Sequence, residues 1–145
     1  MDSNTIADVI EIQQLLARYA VRMTQHDVEG VVGVFAPGGT YSAFGDIYDT
    51  TDFPLLMDAA PRGHYTTGIP LLEIDGDTAT GVQTLSFVAQ TDHAMRIGYY
   101  TDTYTRTTDG WRLQTRAMTF LRRDGSQNSG KAHDPLRPAP TSSAS

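Results

Sequence analysis

The sequence predicts an α+β fold in which two helices come first and a meander of antiparallel strands follows. Apolar side chains recur every three or four residues up to Phe35, which is the spacing of helices with one buried face. From Thr40 to Leu121 the spacing falls to two, β-forming residues dominate, and Asp-Gly pairs mark turns between the runs. Helices followed by hairpin-connected strands favour one curved sheet that wraps a helix layer.

The first helix is predicted over about Thr5 to Gln25. Ser3 or Asn4 is placed to cap its N-terminus, and Asp8 suits the positive end of its dipole. A second, shorter helix is predicted from Val28 to Phe35, because a Pro-Gly-Gly sequence follows it directly.

The remaining elements are predicted between clusters of turn-forming residues. They are a short strand Thr40–Phe44, a small helix Asp52–Ala59, and four longer strands, His64–Ile74, Thr78–Thr91, Arg96–Thr107 and Trp111–Leu121. Trp111 follows an Asp-Gly turn at the start of the last strand, so we expect its indole to be buried. We expect the strands from His64 onward to pair antiparallel throughout.

Length and composition exclude several classes of protein. A chain of 145 residues is long enough for one domain with a complete core, which we expect over residues 1–123. Residues 124–145 are rich in Pro and Ser with few apolar side chains, which predicts a flexible tail. The net charge of -6 opposes nucleic-acid binding, and the lack of cysteine excludes disulfides and thiolate chemistry. No apolar run is long enough for a membrane span, and no export signal is recognisable, so we expect a cytoplasmic protein.

No familiar catalytic or metal-binding motif occurs in the sequence, so any chemistry is expected to be acid-base chemistry without metal or cofactor. Three of the four histidines, His26, His93 and His133, lie in polar turns or in the tail and are expected to be solvated. His64 opens a strand, and alternation places it on one face with residues 66 and 68. If that face is concave, its imidazole enters a cavity; otherwise it is a strand-start histidine bonded to a carbonyl.

Tyrosines and one aspartate make up the other candidate group. Tyr19 lies on the apolar row of the first helix, so its ring is expected to be buried, either as core or as part of a site. In the strand after residue 96, one face must carry Tyr100, Asp102 and Tyr104. If this face is the inner one, a carboxylate among phenols indicates a polar cavity; the alternative is that this face meets solvent.

The order and spacing of several segments resemble the SnoaL-like branch of the nuclear transport factor 2-like superfamily over residues 5 to 121. The segments are Ile12–Ala20, Asp27–Pro37, the Asp75–Ala79 hairpin, and Tyr100–Arg106 with Asp109–Leu113. The resemblance implies a cone-shaped α+β barrel, with helices packed in a strongly bent, mostly antiparallel sheet around a deep pocket. It also implies a homodimer or homotrimer that binds a small hydrophobic molecule. Relatives include scytalone dehydratase, hexachlorocyclohexane dehydrochlorinase, ketosteroid isomerase and polyketide cyclases.

The resemblance also suggests roles for individual residues. In dehydratase and dehydrochlorinase relatives an Asp late in the first helix pairs with a His at the start of the next long strand. The His falls on His64, but the Asp falls on Thr24, which cannot stabilise an imidazolium as a carboxylate does. The implied catalytic residues are His64, Tyr19 and Asp102. The implied substrate-binding residues are Thr24, Tyr41, Tyr100 and Arg116.

Two functions from different classes follow. The first is a cofactor-independent lyase or isomerase, with His64 as base or acid, Tyr19 polarising a substrate oxygen and Asp102 orienting one of them. The second is a noncatalytic protein of the same fold that binds a small molecule or serves in assembly, in which Thr24 reflects lost chemistry. Fold alone does not choose between them.

Overall fold

A computed structural model describes residues 1–122 and 132–136 of the chain. Its elements in order are α1 (Ser3–Gln25), α2 (Val28–Val32), β1 (Phe35–Ala43), β2 (Asp46–Asp49), α3 (Phe53–Ala59), β3 (Gly63–Thr67), β4 (Leu71–Asp75), β5 (Thr78–Ala89), β6 (Met95–Thr107) and β7 (Gly110–Arg122). The helices precede the long strands, as the hydrophobic periodicity predicted.

The long helix α1 begins and ends with local hydrogen bonds that explain its length. Asp2 caps it, because its carboxylate accepts a hydrogen bond from the backbone N–H of Thr5; the predicted caps Ser3 and Asn4 lie inside the helix. His26 ends it in the left-handed conformation, at φ 55°, and its N–H bonds back to the last turn.

The strands form one seven-stranded sheet with the order β2-β1-β7-β6-β5-β3, and β4 also pairs with β5. Every pair among β3 to β7 is antiparallel, which confirms the expectation for residues 64 to 121. The predicted strand His64–Ile74 is two strands, because Pro70 cannot donate to the ladder and the chain breaks at residues 68–70. The two pieces pair with different halves of β5.

Strand β1 starts earlier than predicted and pairs parallel with β7. The Pro-Gly-Gly sequence that was expected to end α2 lies inside this strand as an irregularity: Phe35 pairs with Leu113, whereas Thr40 pairs with Thr115. Gly38 has φ 76°, a conformation that glycine adopts without strain. Helix α2 therefore stops at Val32, three residues before the predicted end.

The core lies between the concave face of the sheet and one face of α1. Ile12, Leu16 and Tyr19 of the helix pack in one cluster with residues of β6 and β7. Trp111 is 0% exposed, as predicted, and its indole N–H donates to Asp8, whose carboxylate also binds Arg106. Asp8 thus ties α1 to the β6–β7 hairpin.

The predicted tail falls mostly outside the described residues, which omit 123–131 and 137–145. The described piece, 132–136, contacts the domain: His133 forms an isolated bridge with Phe120, and Gly45 donates a backbone hydrogen bond to Pro135. The His133 ring lies 5.9 Å from that of Phe44 and is partly buried, so the expectation that it is solvated is wrong.

Candidate functional site

The inner face of β6 carries Tyr100, Asp102 and Tyr104, which are 2%, 1% and 1% exposed. Of the two possible orientations of β6, the structure therefore has the one in which these three side chains face the helix layer and Thr101 and Thr103 face outward. Because β6 lies near the middle of the sheet, its inner face meets α1 and the neighbouring strands on both sides.

A buried ion pair lies at the centre of this face. Asp102 stands directly opposite Arg116 of β7, and the guanidinium Nε and Nη2 donate to its two carboxylate oxygens at 2.9 and 3.0 Å. Both side chains are fully buried. Tyr104 donates its hydroxyl to Asp102 at 2.9 Å, and the amide oxygen of Gln83 accepts from Arg116 at 2.7 Å. We call Asp102, Arg116, Gln83 and Tyr104 the ion-pair cluster.

The Arg116 guanidinium also lies between two aromatic rings. Its central carbon is 3.6 Å from the ring centroid of Tyr100 and 4.5 Å from that of Tyr19. Burial opposes the charge of Arg116, but the Asp102 carboxylate outweighs this effect and raises the pKa of the guanidinium above its usual value. Its Nη1 has no hydrogen-bond partner among the described residues, so the ring faces supply the remaining favourable contact. The ion-pair cluster thus fixes the positions of two phenol rings.

Those two rings form part of the wall of a partly open cavity of about 80 Å³. Its other lining residues come from α1, β1, α3 and the residue after it, β3 and β6: Met23, Tyr41, Phe53, Leu56, Met57, Ala60, Tyr65 and Arg96. Half of the ten lining residues are apolar, and the other half carry four phenols and one guanidinium. We call this space the phenol cavity.

The phenols of the cavity are neutral hydrogen-bond donors. Burial raises the pKa of Tyr19, Tyr41, Tyr65 and Tyr100 above the usual value, and the other phenols around Tyr41, Tyr65 and Tyr100 raise it further. Among the described residues, the hydroxyls of Tyr41 and Tyr65 have no hydrogen-bond partner. They are free to donate to an oxygen atom placed in the cavity.

His64 does not face this cavity, so the expectation that its imidazole enters the concave side is wrong. It is exposed on the outer face of β3, in register with Val88 and, through it, with Met95. The neighbouring Tyr65 faces inward instead, with its ring 4.7 Å from that of Phe87. Tyr65 faces inward and His64 outward because burying a tyrosine ring removes more apolar surface from water than burying an imidazole does.

Thr24 also lies outside the cavity, and its hydroxyl forms hydrogen bonds with the backbone of α1 and β3. Thr24 is exposed; its Oγ1 donates to the carbonyl of Ala20 at 2.9 Å and accepts from the backbone N–H of Tyr65 at 3.1 Å. It thereby satisfies an N–H at the edge of the sheet and fixes α1 against β3. Thr24 therefore bonds the backbone of Tyr65, whereas the Asp at this position in the relatives pairs with the residue that corresponds to His64.

The structure thus brings only some of the predicted site residues together. Tyr19, Tyr41 and Tyr100 line the cavity, and Asp102 and Arg116 lie behind Tyr100 in the ion-pair cluster. Sequence reasoning missed Tyr65 and Arg96. The sequence did contain a signal for Tyr65: residues 64 and 65 lie on opposite faces of β3, so if His64 faces outward, Tyr65 faces inward.

The described residues provide weaker evidence for a binding site elsewhere in the molecule. A groove of about 540 Å³ lies on β4, β5 and β6 and is lined by exposed residues such as Glu73 and Thr80, so it is a surface depression. Within residues 1–122 and 132–136, no three His, Cys, Asp or Glu side chains are grouped to hold a metal ion. None of the helices in these ranges is long and apolar enough to cross a membrane.

Known proteins match this chain along most of its length. An uncharacterized protein of Mycobacterium tuberculosis is 29% identical over 128 residues, which covers 79% of this chain and 86% of that protein. A structure of a protein of unknown function from M. tuberculosis has a TM-score of 0.75 at 28% identity, covering 87% of this chain and 78% of the other.

More distant structures share the fold. A nuclear transport factor 2-like protein with a cystatin-like fold from Novosphingobium aromaticivorans has a TM-score of 0.74 at 24% identity, covering 86% and 87% of the two chains. A candidate scytalone dehydratase of the same organism has a TM-score of 0.75 at 10% identity, covering 97% and 99%. The sequence model of the SnoaL-like domain matches residues 4–117. The chain therefore belongs to the SnoaL-like domain family and has its nuclear transport factor 2-like, cone-shaped α+β fold.

Proposed function

We propose that this protein binds a small, largely apolar molecule in the phenol cavity, and that Tyr41 and Tyr65 donate hydrogen bonds to an oxygen atom of that molecule. The observation that carries the proposal is the pair of inward-facing phenols with unused donors in a wall that also contains Met, Phe, Leu and Ala side chains. Sites for small molecules combine such apolar side chains with a few convergent polar groups.

The size of the cavity limits the ligand. Its 80 Å³ is below the range of about 300 to 1,000 Å³ found for typical ligand pockets, and an apolar cavity of about 150 Å³ holds benzene. Because 80 Å³ is only about half of the volume that holds benzene, a molecule with one six-membered ring is the upper limit. Such a ligand requires the wall to move outward or part of the ligand to protrude from the open side of the cavity.

Binding without proton abstraction fits the charges in the cavity better than the lyase mechanism does. Among the described residues, the cavity wall contains no carboxylate and no imidazole. Asp102 lies nearby, but Arg116 and Tyr104 occupy its carboxylate. A general base must reach the proton that it removes, and His64 lies on the other side of the sheet.

A lyase or isomerase remains the second candidate, and one observation favours it. Four neutral phenols converge on one cavity, and such donors polarise a carbonyl or a leaving oxygen. Names of structural neighbours from Novosphingobium aromaticivorans and Streptomyces avermitilis point to dehydratases. In this mechanism the substrate or a water molecule supplies the base.

Titration with cyclohexanone tests the proposal, because this molecule has one ring and one acceptor oxygen. We expect Tyr65→Phe to weaken its binding about five- to tenfold, the effect of one lost hydrogen bond of about 1 kcal/mol or slightly more. Tyr99→Phe is the matched control, since Tyr99 lies on the opposite face of β6 from the cavity. Equal loss in both variants, or no binding to the wild-type protein, contradicts the proposal.

A further inference from the structure

The cavity contains one cation, Arg96, which the ion-pair cluster does not neutralise. Arg96 lines the cavity from β6 and is partly buried. It stands in register with Phe87, which stands in register with Tyr65, so the three side chains form one row across the inner face. The guanidinium carbon lies 5.8 Å from the centre of the Phe87 ring.

Arg96 differs from the arginines that form ion pairs. Arg116, Arg106 and Arg22 each form an ion pair with an aspartate. Arg96 has no ion pair and no hydrogen bond to any residue in 1–122 or 132–136. Other arginines without an ion pair among the described residues are the exposed Arg18 and Arg62 and the partly buried Arg112 and Arg122. Of all these, Arg96 is the one that lines the phenol cavity.

The Arg96 guanidinium is only partly buried and still reaches water, so an anion in the cavity is a favourable partner for it and not a requirement. Transfer of charge out of water is unfavourable, and a planar guanidinium matches a carboxylate with two parallel hydrogen bonds. The chain has a net charge of -6, so acidic side chains are abundant elsewhere. The field of Arg96 also reaches the nearby phenols, where it opposes the rise in pKa that burial causes in Tyr41 and Tyr65.

Resting on the proposed function of the phenol cavity, we infer that the ligand is a small carboxylate with an apolar body. Its ring or alkyl group lies between Phe53, Leu56 and Met57, and its carboxylate meets Arg96 at the partly exposed end of the wall. The hydroxyl of Tyr65, on the same row as Arg96, donates to the second carboxylate oxygen. The cavity is therefore selective for charge as well as for size.

Benzoate and benzamide are the probes for this inference, because they share a ring and nearly the same shape but differ in charge. Calorimetric titration of the wild-type protein is expected to give about tenfold tighter binding of benzoate. Arg96→Gln is expected to remove this preference while leaving benzamide affinity within about twofold. Arg96→Lys, which keeps the charge and loses the bidentate geometry, is expected to retain part of it.

Arg18→Gln is the matched control, since it removes the same charge from an exposed position of α1. A preference for benzoate that survives in Arg18→Gln and disappears in Arg96→Gln supports the inference. Equal affinities in the wild-type protein, or a preference that Arg96→Gln leaves intact, overturn it while the neutral-ligand proposal stands. If cyclohexanone, benzoate and benzamide all fail to bind, the proposed function itself is wrong and the inference falls with it.

Discussion

Two polar regions lie side by side on the concave face of the sheet, and they differ in where their hydrogen bonds go. In the ion-pair cluster, Asp102, Arg116, Gln83 and Tyr104 bond one another within the protein. In the phenol cavity, Tyr41, Tyr65 and Arg96 have no such partners among the described residues. Polar groups that are satisfied internally serve stability and position, whereas those left unused at a cavity are available to a ligand.

The largest expected effect comes from breaking the ion-pair cluster. Asp102→Ala leaves the Arg116 guanidinium buried without its counter-charge, so we expect a loss of about 3 to 5 kcal/mol in the free energy of unfolding, measured with urea. Asp109→Ala, in an exposed turn, is the control and should cost little. The double variant Asp102→Leu with Arg116→Met should be less destabilised than Asp102→Ala. A loss below about 1 kcal/mol for Asp102→Ala would show that the pair is not buried as described.

A smaller effect is expected from the phenols at alkaline pH. The pKa of Tyr65 is raised by burial in the folded protein, so the folded state keeps its proton where the unfolded state loses it. Its contribution to stability is complete below about pH 10, the ordinary tyrosine value, and declines as the pH rises toward the folded-state pKa. Urea unfolding at pH 8 and pH 11 should therefore show a decline that is about 1 kcal/mol smaller in Tyr65→Phe than in the wild-type protein. An identical decline in the two proteins would mean that Tyr65 is solvated.

The smallest effect is expected at His64, which lies outside both regions. His64→Ala removes an exposed side chain from the outer face of β3, so its free energy of unfolding should stay within about 0.5 kcal/mol of the wild-type value. Cyclohexanone affinity should also be unchanged. A marked fall in affinity would place His64 in the binding site and restore the acid-base mechanism.

The ion-pair cluster and the phenol cavity also differ in how much of each could be predicted from the sequence. The inner phase of β6 was one of two alternatives, and the structure selects it because Tyr100, Asp102 and Tyr104 are buried together. The helix periodicity of α1 and the Asp-Gly turns predicted their elements, since those signals are local. Trp111 was correctly expected to be buried.

Local sequence signals do not determine which side chains of β3 face inward. This strand has only five residues, and His64 and Tyr65 are both amphipathic, so alternation alone does not say which one faces inward. The choice depends on pairing with β5, where Tyr65 meets Phe87, and on the bond from Thr24 to the Tyr65 N–H. Both contacts join residues far apart in the chain. The free charge of Arg96 is likewise visible only when its spatial neighbours are known.

The methionine methyl groups offer the most direct test of where the ligand binds. Met23 and Met57 line the phenol cavity, whereas Met95 lies on the outer face of the sheet, in the same row as His64. With ¹³C-labelled methyl groups, titration with cyclohexanone should shift the NMR signals of Met23 and Met57 and leave that of Met95 in place. Shifts at Met95 with Met23 and Met57 unchanged would put the ligand on the outer face and contradict the account.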